Sequence, residues 1–296
     1  SRASFIHGST FQVELPQKVD LIICDHVGYF GFDYGLIALL ADARRRLLKP
    51  GGQMIPGRLR LQLGAVESDT CRALAEGWQA PEIPTEFHWL RHQGVNTKYA
   101  VSLKADEVLA GPTQLACIDL RDDNPDFFSW NAELTVARDG TMHGLAGWFE
   151  CELADGVWMT NSPLAADAIK RPQAFLPIDA PLSVKAGDVV SATVMARPVD
   201  HLIAWEVRHA ASGMKFSHST FHGDVLMPEQ LKRTRPDHVP QLNRVARARS
   251  LVLSYCDGQR TVAQIHEAVL REHPQLFPSL AEVTAFVSSV LSGNTE

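Results

Sequence analysis

V-D-L-I-I-C-D-H-V-G-Y-F-G-F, residues 19–32, and its continuation A-R-R-R-L-L-K-P-G-G-Q-M-I-P, residues 43–56, decide the fold. Residues 19–24 form a short β-branched apolar run, the signature of a strand buried on both faces of a parallel sheet. Residues 25–35 are rich in glycine and aromatics and continue neither strand nor helix. From Leu36, apolar residues recur at Leu39, Leu40, Ala43, Leu47 and Leu48, which is helical spacing, with Asp42 and Arg44, Arg45 and Arg46 on the polar face. A basic last turn followed by proline and two glycines, Lys49 to Gly52, stops that helix. Residues 53–55 then read as the next strand. Strand, loop, helix, stop and strand in this order are a βαβ unit of an α/β sheet.

Downstream of Arg58 the period changes. Short alternating runs at 59–65, 115–120, 132–137, 144–153, 188–196 and 202–208 are separated by turn signals such as Arg138-Asp139-Gly140 and Ala154-Asp155-Gly156. Many short strands with regular turns predict an antiparallel sandwich or barrel. A short helix is expected over 70–78, and residues 228–240, polar and proline-punctuated, read as a linker. Beyond it, residues 245–255, 262–272 and 280–291 carry helical periodicity, with Asp257-Gly258 as a turn and Thr261 and Ser279 as N-caps. Three domains follow from this: 1–57, a partial Rossmann-like α/β domain; 58–228, a β-barrel; and 239–296, a small helical module.

The composition is that of an ordinary globular protein: 296 residues, 45% hydrophobic and 21% charged. With 34 acidic against 28 basic residues, no global field draws the chain to nucleic acid, and no apolar run has membrane-spanning length. The five cysteines, Cys24, Cys71, Cys117, Cys151 and Cys256, form no C-x-x-C pair and read as reduced thiols of a cytoplasmic chain. The histidines have no metal-ligand spacing, His218 and His222 included, because they fall in a strand-like stretch.

The ordered set of these segments resembles the protein arginine methyltransferases over roughly the first three quarters of the chain. Residues 19–32 are similar to the strand and double-glutamate loop of that family, and residues 43–56 to its helix and step into a barrel. Residues 150–160, Asn161-Ser162-Pro163, Ala174-Phe175-Leu176-Pro177 and 185–190 follow in the family's order. The resemblance implies an S-adenosylmethionine-dependent methyltransferase whose glycine-rich turn and ribose-binding acid lie upstream, so that this sequence carries about half of a cofactor site. It also implies a homodimer formed through an arm, for which 70–92 is the candidate. Residues 6–16 match the segment leading into the strand, which places Ser9, Thr10 and Phe11 on the adenine side, with Phe11 where an acidic residue is usual.

The departures fall on the substrate clamp. In the family two glutamates grip the guanidinium, since a planar fork of N–H donors is matched by carboxylates. Here Asp25 stands at the first position and Tyr34 at the second, with Asp33 beside it, and the family's His-Trp pair is replaced within Ala168-Ile169-Lys170-Arg171. Asp25, at the carboxyl end of a parallel strand, is expected to orient the acceptor, assisted by His26, Asp33 and Tyr34, and also to contact the cofactor together with Tyr29.

The C-terminal pattern is Leu242-Asn243, then Tyr255-Cys256-Asp257-Gly258, Thr261-Val262, Ile265, Glu282-Val283 and Phe286-Val287. It resembles the PqqD-like, winged-helix-like peptide-binding domains. Methyl transfer from S-adenosylmethionine to a peptide, protein or small-molecule acceptor is therefore the expected function. The alternative is a non-catalytic methyltransferase-derived scaffold that binds a peptide through its last domain.

Overall fold

The computed structural model describes residues 3–223, 228–233, 235–277, 279–292 and 294–295. They form two compact units, Ser1–Leu226 and Met227–Glu296, each treated separately below.

The first unit opens with β1 (Val19–Ile23), a loop, α1 (Leu36–Leu47) and β2 (Leu48–Ile55), and β1 pairs with β2 in parallel. The α/β reading of 19–56 is thus the observed one in its pairing and order. α1 buries Leu36, Ile37, Leu40 and Ala43, the 3.6-period stripe, and Gly51 turns the K-P-G-G step with φ 75°. The burial expected of the first strand differs. Leu21 and Ile23, two apart and so on one face of the strand, are exposed at 42% and 69%, because the described residues leave that face largely uncovered.

Ten strands follow: β3 (Arg58–Val66), β4 (Tyr99–Val101), β5 (Val108–Asp119), β6 (Phe128–Thr135), β7 (Gly140–Ala154), β8 (Val157–Thr160), β9 (Gln173–Val184), β10 (Val189–Arg197), β11 (Leu202–His209) and β12 (Met214–Ser219). One antiparallel sheet runs β4-β9-β7-β3-β5, with β8 added on β7, and a second runs β12-β11-β10-β6. Their inner faces share one core that includes Leu61, Leu63 and Phe149 from the first sheet and Val194, Trp205 and Val207 from the second. The barrel expectation is corrected here. The sheets meet through an isolated bridge, Ala110 to Val136, and through the Trp205 indole N–H donating to the Pro177 carbonyl at 2.7 Å. No ladder among the described residues closes them into a ring.

β7 is buried almost continuously from Met142 to Phe149, which an alternating strand shows when both of its faces are covered. Its inner face enters the core. Its outer face, with Ala146 and Trp148, meets Val66 and Leu103. α2 (Asp69–Glu76), capped by the Ser68 hydroxyl accepting from the Cys71 amide, and α3 (Arg91–Gly94) lie in the connection from β3 to β4.

His218 on β12 is buried, stacks on Trp205 at 5.4 Å and has the Asp179 carboxylate 3.9 Å away. Burial holds its imidazole below the ordinary histidine value of 6.5, the Asp179 charge opposes this, and nearby His92 and Arg91 add to the lowering. The unfolded chain then takes up its proton at higher pH than the folded one. Stability is complete above about pH 6.5 and falls as the pH drops below it, down to the folded-state value. Thermal unfolding followed from pH 7.5 to 5.5 is expected to show this decline, and His218→Phe to flatten it.

The second unit contains α4 (Pro228–Lys232), α5 (Arg244–Ser254), α6 (Val262–Glu272) and α7 (Leu280–Ser292). The linker reading of 228–240 therefore begins with one short helix, and its residue 234 lies outside the described residues. α5, α6 and α7 enclose a core of Val252, Ile265, Val269, Val283, Val287, Val290 and Leu291. Thr261 caps α6 in a reciprocal box with Gln264, Ser279 accepts from the Glu282 amide, and Asp257 accepts from the amides of Gln259 and Arg260. Among its described residues there are helices and turns and no strand, so no wing accompanies the helices.

Candidate functional site

The loop from Asp25 to Gly35 leaves the carboxyl end of β1 and is tied down by its own residues. Phe30 is fully buried and sits in van der Waals contact over Gly147 of β7, where a Cβ would come within 2.2 Å of the ring. The Asp33 carboxylate, nine-tenths buried, accepts through Oδ2 from the amides of Tyr29 at 3.0 Å and Phe30 at 2.6 Å. Gly28 takes φ 63°, and a side chain there would collide with Asp33. Asn161, wholly buried, joins three segments. Its Oδ1 accepts from the Phe149 amide at 2.9 Å, and its Nδ2 donates to the carbonyls of Tyr29 at 2.9 Å and Pro172 at 2.6 Å.

Both acids of the loop meet cations from elsewhere in the chain. Asp33 Oδ1 pairs with Lys98 Nζ, and the same ammonium lies 4.8 Å from the centre of the Tyr29 ring and 6.0 Å from that of Phe32. Asp25, exposed, pairs with Arg171 Nη2 at 3.0 and 3.3 Å, while Arg171 Nη1 donates to the Gly28 carbonyl at 3.4 Å. Arg171 thus carries the region 168–171 to the loop. The Tyr29 phenol is pushed well up by burial first and by the Asp33 charge second, so it stays protonated.

Tyr29, Phe32, Asp33, Tyr34, Lys98 and His201 line a cavity of about 220 Å³, completed by Pro198, Leu202 and Ile203. Tyr34 and His201 are the two described non-glycine residues with positive φ, 58° and 55°, and both are on this cavity. A side chain in the left-handed region costs about 1–2 kcal/mol, and such strain gathers at functional surfaces. The loop thus brings Tyr29, Asp33 and Tyr34 to one cavity. The His26 ring stands 6.4 Å from that of Tyr34, edge to face, and Asp25 lies at the other end of the loop against Arg171.

Ser9, Thr10 and Phe11 are placed apart from this cavity, against α1. The Ser9 carbonyl accepts from the amides of Gln12 and Val13, and Arg46 of α1 donates to the Thr10 carbonyl at 2.6 Å. Phe11, half exposed, lines a second cavity of about 480 Å³ with Ile37, Ala38 and Ala41 of α1 and with Pro125 and Val199. The two cavities share Pro198. No hydrogen bond, ion pair or ring contact among the described residues links Phe11 to Asp25 or Tyr29.

Lys98 and His201 carry no local signal in the sequence. Lys98 is a single lysine in N-T-K-Y, and His201 is one of twelve histidines. Asn161 was visible only as part of the N-S-P step.

Residues 81–210 match the arginine methyltransferase oligomerization subdomain. Protein arginine N-methyltransferase 1 of Schizosaccharomyces pombe is 24% identical over 220 residues, 67% of this chain and 60% of that protein. Histone-arginine methyltransferase CARMER of Drosophila yakuba is 25% identical over 209 residues, 66% of this chain and 39% of that protein. The chain therefore spans less than two thirds of either relative. Among solved structures, the PRMT1 enzyme–prozyme heterotetrameric complex with AdoHcy of Trypanosoma brucei superposes with a TM-score of 0.63 at 17% identity, covering 73% of this chain and 72% of that one. Protein arginine methyltransferase 10 of Arabidopsis thaliana gives 0.58 at 19% identity, covering 73% and 74%. The subdomain match lies within the first unit, and the chain is similar to the protein arginine methyltransferases.

Proposed function

We propose that this chain forms the acceptor side of an S-adenosylmethionine-dependent methyltransferase acting on a peptide, protein or small-molecule acceptor. The observation that carries the reading is the β1–α1–β2 unit, which holds an acidic, aromatic loop at the carboxyl end of its first strand beside a cavity. Open α/β sheets bind their ligands there.

The residues fit the adenosyl part of the cofactor. A planar base asks for an apolar wall, and Phe11 with Ile37, Ala38 and Ala41 supplies one on a cavity of about 480 Å³ whose lining also includes the charged Asp42, Arg45, Asp123 and Asp126. Ser9 and Thr10 immediately precede Phe11 in the chain. The cofactor, when bound, supplies a methyl group on a sulfonium. The chain's own part is to orient the acceptor and exclude water. Asp25 and the Asp33–Lys98 pair fix charge at the two ends of the loop, and His26 and Tyr34, in edge-to-face contact, and Tyr29 assist in orienting the acceptor. The connection 70–92 acts as the arm of an oligomer, as the subdomain match at 81–210 supports.

A second reading has its own observation. Asp25 and Asp33 are both already paired within the chain, as befits a non-catalytic scaffold that recruits a peptide through its PqqD-like C-terminal unit. Calorimetric titration of the full-length protein with S-adenosylmethionine separates the two. Saturable heat at about one cofactor per chain, weakened several-fold by Phe11→Ala, is the expected result. No heat at millimolar cofactor overturns the enzyme reading.

A further inference from the structure

We propose that the cavity bounded by Tyr29, Tyr34, Lys98 and His201 receives a carboxylate of the acceptor, and that Lys98 sets this preference against a guanidinium. The inference rests on the methyltransferase reading and names the acceptor class of its site.

A guanidinium presents only N–H donors, and its binding asks for free carboxylate oxygens. In this cavity the one carboxylate is already engaged: Asp33 Oδ2 takes two backbone amides and Oδ1 pairs with Lys98. Asp25, the other acid of the loop, is not on the cavity; it is exposed and paired with Arg171. The donors are not spent. An ammonium has three N–H groups, and Lys98 commits one of them to Asp33. The phenols of Tyr29 and Tyr34 also line the space, and the raised value of Tyr29 keeps its hydroxyl a donor.

A carboxylate is the complement, since it offers acceptors only. A second cation entering beside Lys98 meets like charge at close range, whereas an anion meets the N–H groups that the ammonium has left over beside Asp33. About 220 Å³ is enough for an aspartate or glutamate side chain. The two left-handed residues, Tyr34 and His201, both line this space, His201 at the end of the turn Pro198–Asp200.

The test uses the full-length protein, uniformly ¹⁵N-labelled, without cofactor. It is titrated with two probes, N-acetyl-Gly-Glu-Gly-amide and N-acetyl-Gly-Arg-Gly-amide. The glutamate peptide is expected to move the amide signals of Tyr34 and His201 saturably, at least tenfold more tightly than the arginine peptide. Lys98→Gln is expected to weaken the glutamate peptide at least tenfold, and Lys98→Arg to restore most of the loss. Equal or tighter binding of the arginine peptide at these signals, or unchanged glutamate binding by Lys98→Gln, overturns the proposal. Should Lys98→Gln fail to fold, the comparison of the two peptides on the wild-type chain still decides. Because no cofactor is present, this outcome is separate from the calorimetric one. Failed cofactor binding removes the methyltransferase reading, and failed glutamate binding removes the acceptor class alone.

Discussion

Phe30→Ala is expected to destabilise the first unit by about 3–5 kcal/mol, the usual loss when a buried aromatic ring is removed from a packed interior. Phe30 is the one aromatic of the acid loop with no exposed surface. Its ring fills the space above Gly147 and stands 5.2 Å from Phe32. Truncation leaves a hole under the loop that neighbours on two rigid strands do not close. Urea unfolding should show the loss as a lowered midpoint, and heating as a fall of roughly 10 °C in Tm for a unit of this size. Gly147→Ala approaches the same contact from the sheet side. It should cost about 1–3 kcal/mol, since the added methyl forces Phe30 out of its seat.

Asp33→Asn is the second large effect. The substitution keeps an oxygen for the amides of Tyr29 and Phe30 but removes the charge opposite Lys98. Both side chains are largely out of water, at 3% and 19% exposure, so the remaining ammonium is left without a counter-charge. Breaking a buried pair from one side costs about 3–5 kcal/mol, and the lower end applies here because Lys98 retains some solvent. By contrast, Asp25→Asn should change stability by less than about 1 kcal/mol, since the Asp25 side chain is 79% exposed and its pair with Arg171 is screened. The two acids of one loop thus differ in what they do: Asp33 holds the loop together, and Asp25 is presented to solvent.

What could be read from the sequence was what local chemistry controls. The β-branched run at 19–24, the 3.6-residue stripe of α1 and the K-P-G-G stop gave the parallel unit. Thr261 with Gln264 and Asp257 with Gly258 gave the ends of the C-terminal helices. The acids of the loop were legible because they follow a strand at its carboxyl end. Their partners were not. Lys98 reaches Asp33 across 65 positions and Arg171 reaches Asp25 across 146, so their pairing depends on sheet register and on the path of the β3–β4 connection. The exposure of Leu21 and Ile23 is not legible for the same kind of reason, since an apolar run tells that a strand forms but not what covers each of its faces. The barrel was over-read because alternation along strands is the same in an open pair of sheets and in a closed ring.

Whether Lys98 neutralises the acid loop from within is read out by a double-mutant cycle on Asp33 and Lys98. Asp33→Asn, Lys98→Met and the double variant would be compared with the wild type by urea unfolding. The double variant is expected to be more stable than the sum of the single losses by about 2 kcal/mol, because removing both charges leaves neither uncompensated. Single losses that add to the double within about 0.5 kcal/mol would contradict it, and would mean that Asp33 stands free to grip a cationic acceptor.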